Sequence, residues 1–474
     1  MKSVKLLKLV TMITTLSTVP LLQAGGEGSG SYGGGSSVQQ QLAELREQIA
    51  ILERKNEIAE EEAERRKQTN PTFRIGDSGI RFESADKKYQ IRLGGLLHVD
   101  SRWFIADDQN AAATSNDAFL LRRVRPSISG TFAERFSFNI TPELAGSPSL
   151  LDAWLNINFV DEAQLKIGQW KSPVSLERLQ SGNAIIFVER GFPSGLAPNR
   201  DIGAAVRGDV WDKSLNYEVG IWNGKFDGQS SGNNGFNTDV SDDKEFAGRI
   251  FGFPFKKTGW EYVEGLGVGV SGTYGDRNNA APSGYVSPGQ QTIFTYATQV
   301  GGTLVADGEA YRISPQAYWY YGGWGLLGEY IISSQTLSTG AGATTRTDTF
   351  QNSAWQVQAS YVWGADNSYN KIKVKKPFNF FEGQWGALQL ATRYQQIRFD
   401  GDAFSRGYAS AATSARGADS FGVAVNWYLN DNVKFVIDYN QTTYQTGFGN
   451  VKPALNSTIS QDEHALFTRF QLAF

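Results

Sequence analysis

Apolar and polar side chains alternate with a period of two along most of this 474-residue chain, from Tyr89 to the carboxy-terminus. In the segment QIRLGGLLHVDSRWF, Ile91 and Leu93 share one parity, and Arg92 and His98 share the other. A strand of about ten tilted residues crosses the hydrocarbon layer of a bilayer, and even numbers of antiparallel strands are the rule for bacterial outer-membrane barrels. The alternation therefore predicts an all-β fold, a sixteen-stranded antiparallel transmembrane β-barrel over residues 89–474. The sixteen segments are 90–104, 118–132, 135–143, 151–159, 163–170, 202–210, 215–223, 245–254, 265–275, 309–320, 324–333, 354–363, 385–398, 419–429, 432–440 and 464–474.

The predicted connections differ in length between the two ends of such a barrel. Several connections after even-numbered strands are as short as AE, DEA, WDKS, GGW or ND, with exceptions at 255–264 and 364–384. Short turns on the periplasmic side and long loops outside are typical of transmembrane barrels, so we expect both chain termini on the periplasmic side. The long connections follow odd-numbered strands and are 171–201, 224–244, 276–308, 334–353, 399–418 and 441–463.

The chain ends in LFTRFQLAF, which is a strand-like alternation that stops on an aromatic residue. An open strand edge of this composition would be an aggregation hazard. Pairing of the last strand with the first would close the sheet and remove both edges. We therefore expect the final strand to pair with the segment that begins near Tyr89.

The amino-terminal region predicts three further segments before the barrel. Basic residues, an apolar stretch and small residues near Ala24 are typical of a secretory signal peptide over 1–24, although a short amphipathic anchor is the alternative. Residues 25–37 are a Gly/Ser tract, which indicates a flexible linker. Residues 71–88 then form a short periplasmic β segment before the first strand.

Residues 38–70 change to the spacing of three and four that predicts a coiled-coil helix. A self-associating helix implies a homo-oligomer, and a single surface helix is the alternative. The residues on the two seam positions are Leu42, Ile49, Asn56 and Ala63 on one, and Leu45, Leu52 and Ala59 on the other.

Arginines recur on the parity opposite to the apolar one. An arginine on the lipid-facing side at mid-depth costs about 2–4 kcal/mol, so we expect these side chains to line the lumen. Acidic residues such as Asp100 and Asp152 share that parity, which leaves two interpretations open. The arginines either brace a wet lumen through ion pairs, or form a track that attracts anions. The predicted lining arginines are Arg92, Arg102, Arg123, Arg125, Arg207, Arg249, Arg312, Arg393 and Arg469.

The loop 171–201 contains helix-like and apolar pieces, which favours folding into the barrel mouth over display to solvent. Packing over the rim or at a subunit contact is the alternative. In the mouth, the loop would bring six charged residues to the narrowest part of the pore: Lys171, Glu177, Arg178, Glu189, Arg190 and Arg200. A second basic stretch, NKIKVKKPFNFF at 370–381, falls in a predicted periplasmic turn. A solvated face is the favoured interpretation, and a hairpin that passes anions onward is the alternative.

Composition excludes several other classes of protein. The chain has no cysteine, two histidines and a net charge of −3, so it offers no disulfide scaffold and no bulk attraction to nucleic acid. No serine lies in a nucleophile-elbow context, and His98 with Asp100 is the one candidate catalytic pair. Hydrogen-bonded lumen lining explains that pair more simply. We therefore expect no enzyme activity, no metal site and no cofactor.

Several stretches together resemble the phosphate-selective porin O and P family of Gram-negative outer membranes. They are YQIRLGGLLHVDSRWF, FLLRRVRPSISGTF, LKIGQWKSPVSLERLQS, FVERGFP, WGALQLATRYQQIRFD, VAVNWYLNDNVKFVIDY and the terminal RFQLAF. The resemblance covers most of the chain from about Tyr89 to Phe474. It implies a trimeric porin in the outer membrane, a third loop that narrows the pore, and paired arginines at Arg122 and Arg123. The family's lysine cluster has few counterparts here, because Lys166 and Lys434 are the lumen-parity lysines.

The functional expectation is a passive diffusion channel for small anionic solutes such as phosphate. A general non-specific porin and a structural tether from the outer membrane to the cell wall through the coiled coil are the alternatives. Membrane lipid, small anions and further copies of this chain are the expected partners, with peptidoglycan as the additional partner of a tether.

Overall fold

Sixteen antiparallel strands close into a β-barrel in the computed structural model. The structure describes residues 38–105, 117–230, 242–297, 302–340, 342, 345–445 and 462–474. The predicted barrel, its strand number and its antiparallel order are confirmed. The barrel strands are β3 (Gln90–Phe104), β4 (Ala118–Phe132), β5 (Phe136–Glu143), β6 (Ser149–Val160), β7 (Ala163–Lys171), β8 (Arg200–Val210), β9 (Leu215–Trp222), β10 (Glu245–Gly252), β11 (Leu266–Ala280), β14 (Val305–Tyr321), β15 (Trp324–Thr339), β16 (Arg346–Trp363), β19 (Ala387–Arg398), β20 (Gly417–Tyr428), β21 (Val433–Gln445) and β22 (Asp462–Ala473).

Short elements complete the described chain. The short strands are β1 (Thr72–Gly76), β2 (Gly79–Glu83), β12 (Tyr285–Val286), β13 (Thr292–Phe294), β17 (Ala365–Asp366) and β18 (Lys373–Val374). The helices are α1 (Val38–Thr69), α2 (Leu176–Leu179), α3 (Phe192–Leu196), α4 (Glu261–Glu264) and α5 (Gly401–Ser405), with a 3-10 turn at Phe380–Glu382. None of the helices in these described ranges is long and apolar enough to cross a membrane.

The carboxy-terminal strand closes the barrel as the sequence predicts. Strand β22 pairs antiparallel with β3, in a register that places Phe470 opposite Val99. The terminal residue extends the ladder, because Gly95 and Phe474 exchange two backbone hydrogen bonds of 2.9 and 3.0 Å. Both sheet edges are thereby satisfied, which a bilayer requires of any strand-built wall.

The two faces of the wall follow the period-two pattern. On β16, for example, Asn352 and Gln356 are fully buried inside the barrel, whereas Val357 faces outward and is half exposed. Asn352 and Gln356 donate hydrogen bonds to Tyr296 and Glu329 inside the barrel, while the apolar outer parity suits contact with lipid.

Connections separate into two classes along the barrel axis. We call the end that carries turns such as 161–162, 211–214 and 322–323 the short-turn end, and the opposite one the long-loop end. The predicted long loop 334–353 is wrong, because β15 and β16 stay paired as far as Thr339 and Arg346. The apolar alternation of the sequence weakens there, yet the backbone N–H and C=O groups of the two strands continue to pair.

A β-hairpin precedes the barrel and extends its wall. Strands β1 and β2 pair with each other, and β2 pairs with the first residues of β3. The hairpin turn contacts the short-turn end, where the Asp77 carbonyl accepts a 2.7 Å hydrogen bond from the Asn432 side chain. Two short strands thus lie within residues 71–88, and the periplasmic position of this segment stays a prediction.

Helix α1 belongs to a separate unit from the barrel. It is continuous over Val38–Thr69, and its seam residues Leu42, Leu45, Ile49 and Leu52 are about half exposed. Its assembly into a coiled coil stays a prediction. The predicted signal peptide (1–24) and linker (25–37) lie outside the described residues.

Candidate functional site: the basic cavity inside the barrel

A β-bulge in β4 turns two consecutive arginines into the barrel. The β3–β4 register pairs His98 with Arg123 and Val99 with Leu121, so that Arg122 has no partner across the ladder. One extra residue in a strand leaves its neighbours on shifted parities. Arg122 therefore shares the inner face with Arg123, although alternation alone would place them on opposite faces.

The loop from 172 to 199 folds into the barrel and lies against its inner wall. Its apolar residues are buried there: Phe187 packs on Ala391 and Ala424, and Val188 packs on Val436 and neighbours. Small inward-facing alanines on β19 and β20 leave room for the phenylalanine ring. This placement matches the expectation for loop 171–201.

Carboxylates on the wall hold the backbone of this loop. Glu329 on β15 accepts hydrogen bonds from the backbone N–H groups of Leu176 (2.6 Å) and Glu177 (3.1 Å). Asp438 on β21 accepts one from Val188 at 2.8 Å. A carboxylate that receives backbone N–H groups makes charge-assisted hydrogen bonds, which are stronger than neutral ones. The loop is thus fixed at its start and its middle.

The wall also contacts the loop through a hydrogen-bond donor and through close packing. Lys434 donates to the Ile185 carbonyl at 2.9 Å. Gly191 approaches the wall so closely that a Cβ there would lie 2.1 Å from the Gln356 side-chain oxygen. A larger residue at this position would have to displace the side chains of Gln356 and Gln395.

A cavity of about 440 Å³ remains between this loop, β4 and the loops at the long-loop end. Its lining contains seven basic residues and two acidic ones, Glu189 and Asp227. We call this space the basic cavity. Its basic residues are Arg122, Arg123, Arg125, Lys171, Arg178, Arg190 and Arg200.

Glu189 binds two arginines at the edge of the basic cavity. Arg122 donates two hydrogen bonds to its carboxylate, at 2.6 and 3.0 Å, and Arg102 donates a third at 3.0 Å. Burial raises the pKa of the Glu189 carboxyl, but the charge and hydrogen bonds of Arg122 outweigh burial and hold that pKa well below its usual value. Glu189 is therefore ionised at neutral pH, and it compensates part of the positive charge.

Two more acids pair with cavity arginines from outside the lining. Arg125 contacts Glu143 at 2.6 Å, and Arg200 contacts Asp152 at 3.2 Å. Each of these arginines still has guanidinium surface on the cavity. The pairs hold the side chains in place without removing them from the pore.

Some donors in the cavity have no partner among the described residues. The Nε atoms of Arg123 and Arg178 and the hydroxyl of Ser194 are buried and make no hydrogen bond there. Burial lowers the pKa of the Arg178 guanidinium, and the nearby charges of Arg190 and Arg200 lower it further. Arginine stays cationic at neutral pH in any such setting. The cavity is therefore short of negative charge and of acceptors, which is the condition that favours an anion.

The structure does not bring the other predicted lining arginines to this cavity. Arg312, Arg393 and Arg469 are almost completely buried braces, and Arg469 holds Asp100 with two hydrogen bonds of 2.7 Å.

Arg102 reaches the cavity edge through Glu189. The remaining three are Arg92, which binds the carbonyl of Ser78 in the hairpin, Arg207 on the inner face of β8, and Arg249, which contacts Gln316. The ion-paired arginines and the cavity-lining arginines are thus largely different subsets, and an anion track along the lining ones stays a prediction.

His98, which belongs to the candidate catalytic pair, is held by structural hydrogen bonds. His98 is buried between Arg123 Nη1 and Gln471 Oε1, each 2.9 Å from a ring nitrogen. Because arginine can only donate, His98 accepts at Nδ1 and donates from Nε2. Among the described residues, no group of three or more histidine or acidic side chains is arranged for a metal ion.

Sequence reasoning placed Glu189 in the loop but gave it no role. Its partners Arg102 and Arg122 precede it by 87 and 67 residues, and no local motif marks the contact. The bulge at Arg122 has no signal in the hydrophobic pattern either. Resemblance to family sequences was the one indication that Arg122 belongs with Arg123.

Comparison with known proteins agrees with this architecture. The family model for phosphate-selective porin O and P matches residues 91–474. Porin O of Pseudomonas aeruginosa is 23% identical over 391 residues, covering 76% of this chain and 84% of that protein. The outer membrane channel DcaP of Acinetobacter baumannii superposes with a TM-score of 0.51 at 11% identity, covering 84% of this chain and 100% of that chain. A family model that matches most of the chain, together with a closed sixteen-stranded barrel, shows that this protein is an outer-membrane porin of the phosphate-selective porin O and P family.

Proposed function

We propose that this porin is a passive diffusion channel for small anionic solutes such as phosphate, with the basic cavity as its selective part. The excess of seven basic over two acidic lining residues is the observation that carries the proposal. Rings of arginine or lysine select for anions and phosphate in pores.

The chemistry of the lining suits a phosphate that moves through. A phosphate that enters a narrow pore loses part of its hydration, and guanidinium groups replace the lost contacts with charge-assisted hydrogen bonds. Several such groups in succession, none of them enclosing the ion, allow an anion to leave as well as to enter. Arg123, Arg125 and Arg190 offer this arrangement from two sides of the cavity, because the first two lie on β4 and the third on the loop.

Single-channel recording of the full-length protein in planar bilayers tests this proposal. We expect steady conductance, a reversal potential in a KCl gradient that indicates chloride preference, and a decrease in chloride current when phosphate is added. Equal permeability for both ions would instead indicate a general porin. A protein that folds and inserts but conducts nothing would favour the alternative of a tether to the cell wall, with peptidoglycan as the partner of α1.

We further propose that the functional form is a homotrimer with α1 as a coiled-coil clasp on the periplasmic side. The half-exposed seam leucines of α1 support this, since an isolated helix gains nothing from a continuous apolar seam. The family resemblance supports the trimer.

Substitution of Leu45 and Leu52 by glutamate is expected to weaken the trimer, because both residues share one seam position and like charges would meet there. Native gels and light scattering in detergent measure the change as a shift toward smaller species. Alanines 43 and 50 provide the matched control, since A43E/A50E adds the same charges at the same spacing away from the seam. Trimers that survive L45E/L52E would show that the barrels associate without the clasp, and a monomeric wild type would contradict the trimer itself.

A further inference from the structure

A groove on the outer face of the barrel, at the short-turn end, is separate from the pore. It encloses about 590 Å³ and is lined almost entirely by apolar side chains. They come from β16, β19, β20, β21 and the connection that precedes β19, and they include Trp363, Trp385, Leu388, Trp427 and Ile437. Trp363 and Trp385 are 51% and 67% exposed, which is far more than a protein-packed tryptophan shows. The groove therefore faces the surroundings of the barrel rather than its interior.

The aromatic walls of the groove are held rigid. Trp427 donates its indole N–H to the Trp385 carbonyl at 2.7 Å, so that its polar atom is satisfied and its ring presents an apolar face. Phe378 packs edge-on against Trp427, with ring centroids 5.5 Å apart. Aromatic rings at this level of a barrel form the girdle that meets the membrane interface.

A basic segment borders the groove. The connection 364–386 is much longer than the other turns at this end, and it carries Lys371, Lys373, Lys375 and Lys376. The Lys375 backbone N–H bonds to the carbonyl of Gly364, a residue of the groove lining, at 3.0 Å. This contact places Lys375 next to the groove lining, with Lys373 and Lys376 within two residues of it along the chain.

The lysines differ in whether they have an acidic partner. Lys375 pairs with Asp366 at 2.8 Å, and Lys371 donates to the carbonyl of Asp77. Lys373 and Lys376 are exposed and form no ion pair with a described residue. The tip of the same connection holds Phe381, which is 97% exposed, and aromatic residues exposed in this way favour the boundary between lipid and water.

We propose that this groove binds one phospholipid of the inner leaflet, with an acyl chain against the tryptophans and the headgroup phosphate at Lys373 and Lys376. The short-turn end of an outer-membrane barrel faces the periplasm, so the phospholipid leaflet lies at this level. Acyl chains fit an apolar groove, and an anionic headgroup fits lysines that lack counter-charge. An anionic lipid such as phosphatidylglycerol matches both parts of the site.

Native mass spectrometry of the full-length protein in detergent tests the site, with phosphatidylglycerol and phosphatidylcholine of the same acyl chains as probes. We expect one tightly retained phosphatidylglycerol per chain and weaker retention of phosphatidylcholine. K373A/K376A should lower phosphatidylglycerol affinity about tenfold or more, because each lysine near a charged lipid surface contributes measurably to binding. The same double variant should leave phosphatidylcholine retention unchanged.

The matched control is K256A/K257A, which removes two lysines from another extended turn at the same end. Those lysines already bind Asp212 and nearby carbonyls, so we expect no change in lipid retention. Equal loss in both double variants, or no loss in K373A/K376A, would overturn the proposal.

A groove variant separates a lipid from a second copy of the chain as the occupant. L388S/I437S reduces the apolar lining, and in a folded barrel it should lower retention of both lipids with unchanged oligomeric state. Loss of the oligomer in that variant would identify the groove as a subunit interface and would overturn the lipid site. If this variant does not fold, L388A alone provides the same comparison.

Discussion

R123A/R125A is expected to lower the anion-to-cation permeability ratio about tenfold or more. Both guanidinium groups line the basic cavity, and two unit charges 4 Å apart interact by about 1 kcal/mol even in bulk water. Loss of two such charges removes about 2 kcal/mol of preference for an anion, and 1.4 kcal/mol corresponds to a factor of ten. Reversal potentials in a KCl gradient measure the ratio. Block of chloride current by phosphate should also require higher phosphate concentrations.

The matched control is R207A/R249A, which removes the same charge from the inner wall. Arg207 and Arg249 face the lumen but do not line the basic cavity. We therefore expect a much smaller change in selectivity. If both double variants fold and shift the ratio equally, the whole lumen sets the selectivity through its net charge. If R123A/R125A leaves it unchanged, these arginines are braces rather than part of a conduction path.

Glu189→Gln is expected to strengthen anion binding in the pore. The wild-type carboxylate neutralises part of the charge of Arg102 and Arg122, and the amide keeps a similar size without the negative charge. By the same electrostatic magnitude, we expect phosphate to block chloride current at a roughly fivefold lower concentration. The concentration for half block, measured on single channels, gives the effect directly.

A more mobile loop is the alternative cause of a changed half-block concentration in E189Q. Substitution of Glu177 distinguishes this cause from the loss of the Glu189 charge. Glu177 is a buried acid of the same loop that does not line the cavity; its side chain contacts Arg393, glutamines on the wall and the backbone N–H of Gly191. Because Glu177 forms no ion pair with an arginine of the described lining, E177Q should disturb the loop with a smaller change in the electrostatics of the cavity than E189Q. An equal fall in the half-block concentration in both variants would indicate loop mobility, whereas a much larger fall in E189Q would support the charge effect. A rise in the half-block concentration in E189Q would contradict the proposed role of the basic cavity.

The fold was accessible from the sequence because its main constraints are local. A strand with one face toward lipid and one toward water must alternate, so the sixteen strands could be counted from the pattern. Closure between Phe470 and Val99 followed from the need to remove sheet edges in a bilayer. Where the alternation fades, beyond about residue 333, the predicted boundary was wrong, since backbone pairing continues without an apolar face.

Only part of the candidate site could be predicted from the sequence. The pattern placed arginines on the inner parity, and the apolar residues of loop 171–201 indicated that the loop folds inward. Which arginines are open depends on ion pairs between distant residues, such as Arg469 with Asp100 and Arg312 with Asp227. A pattern of period two cannot distinguish a paired from an open arginine, because both occupy the same parity.

The sequence by itself determined the barrel, its closure and the side of the wall on which most charges lie. Each of these follows from the free energy of placing a single residue in lipid rather than in water. The tertiary structure alone decided where the basic cavity, which we propose as the selective part of the pore, is formed. The bulge at Arg122 adds a second inward arginine, and Glu329 and Asp438 hold the loop opposite β4. These features depend on backbone register and on contacts across the lumen, and the free energy of such contacts exists only after the barrel has closed.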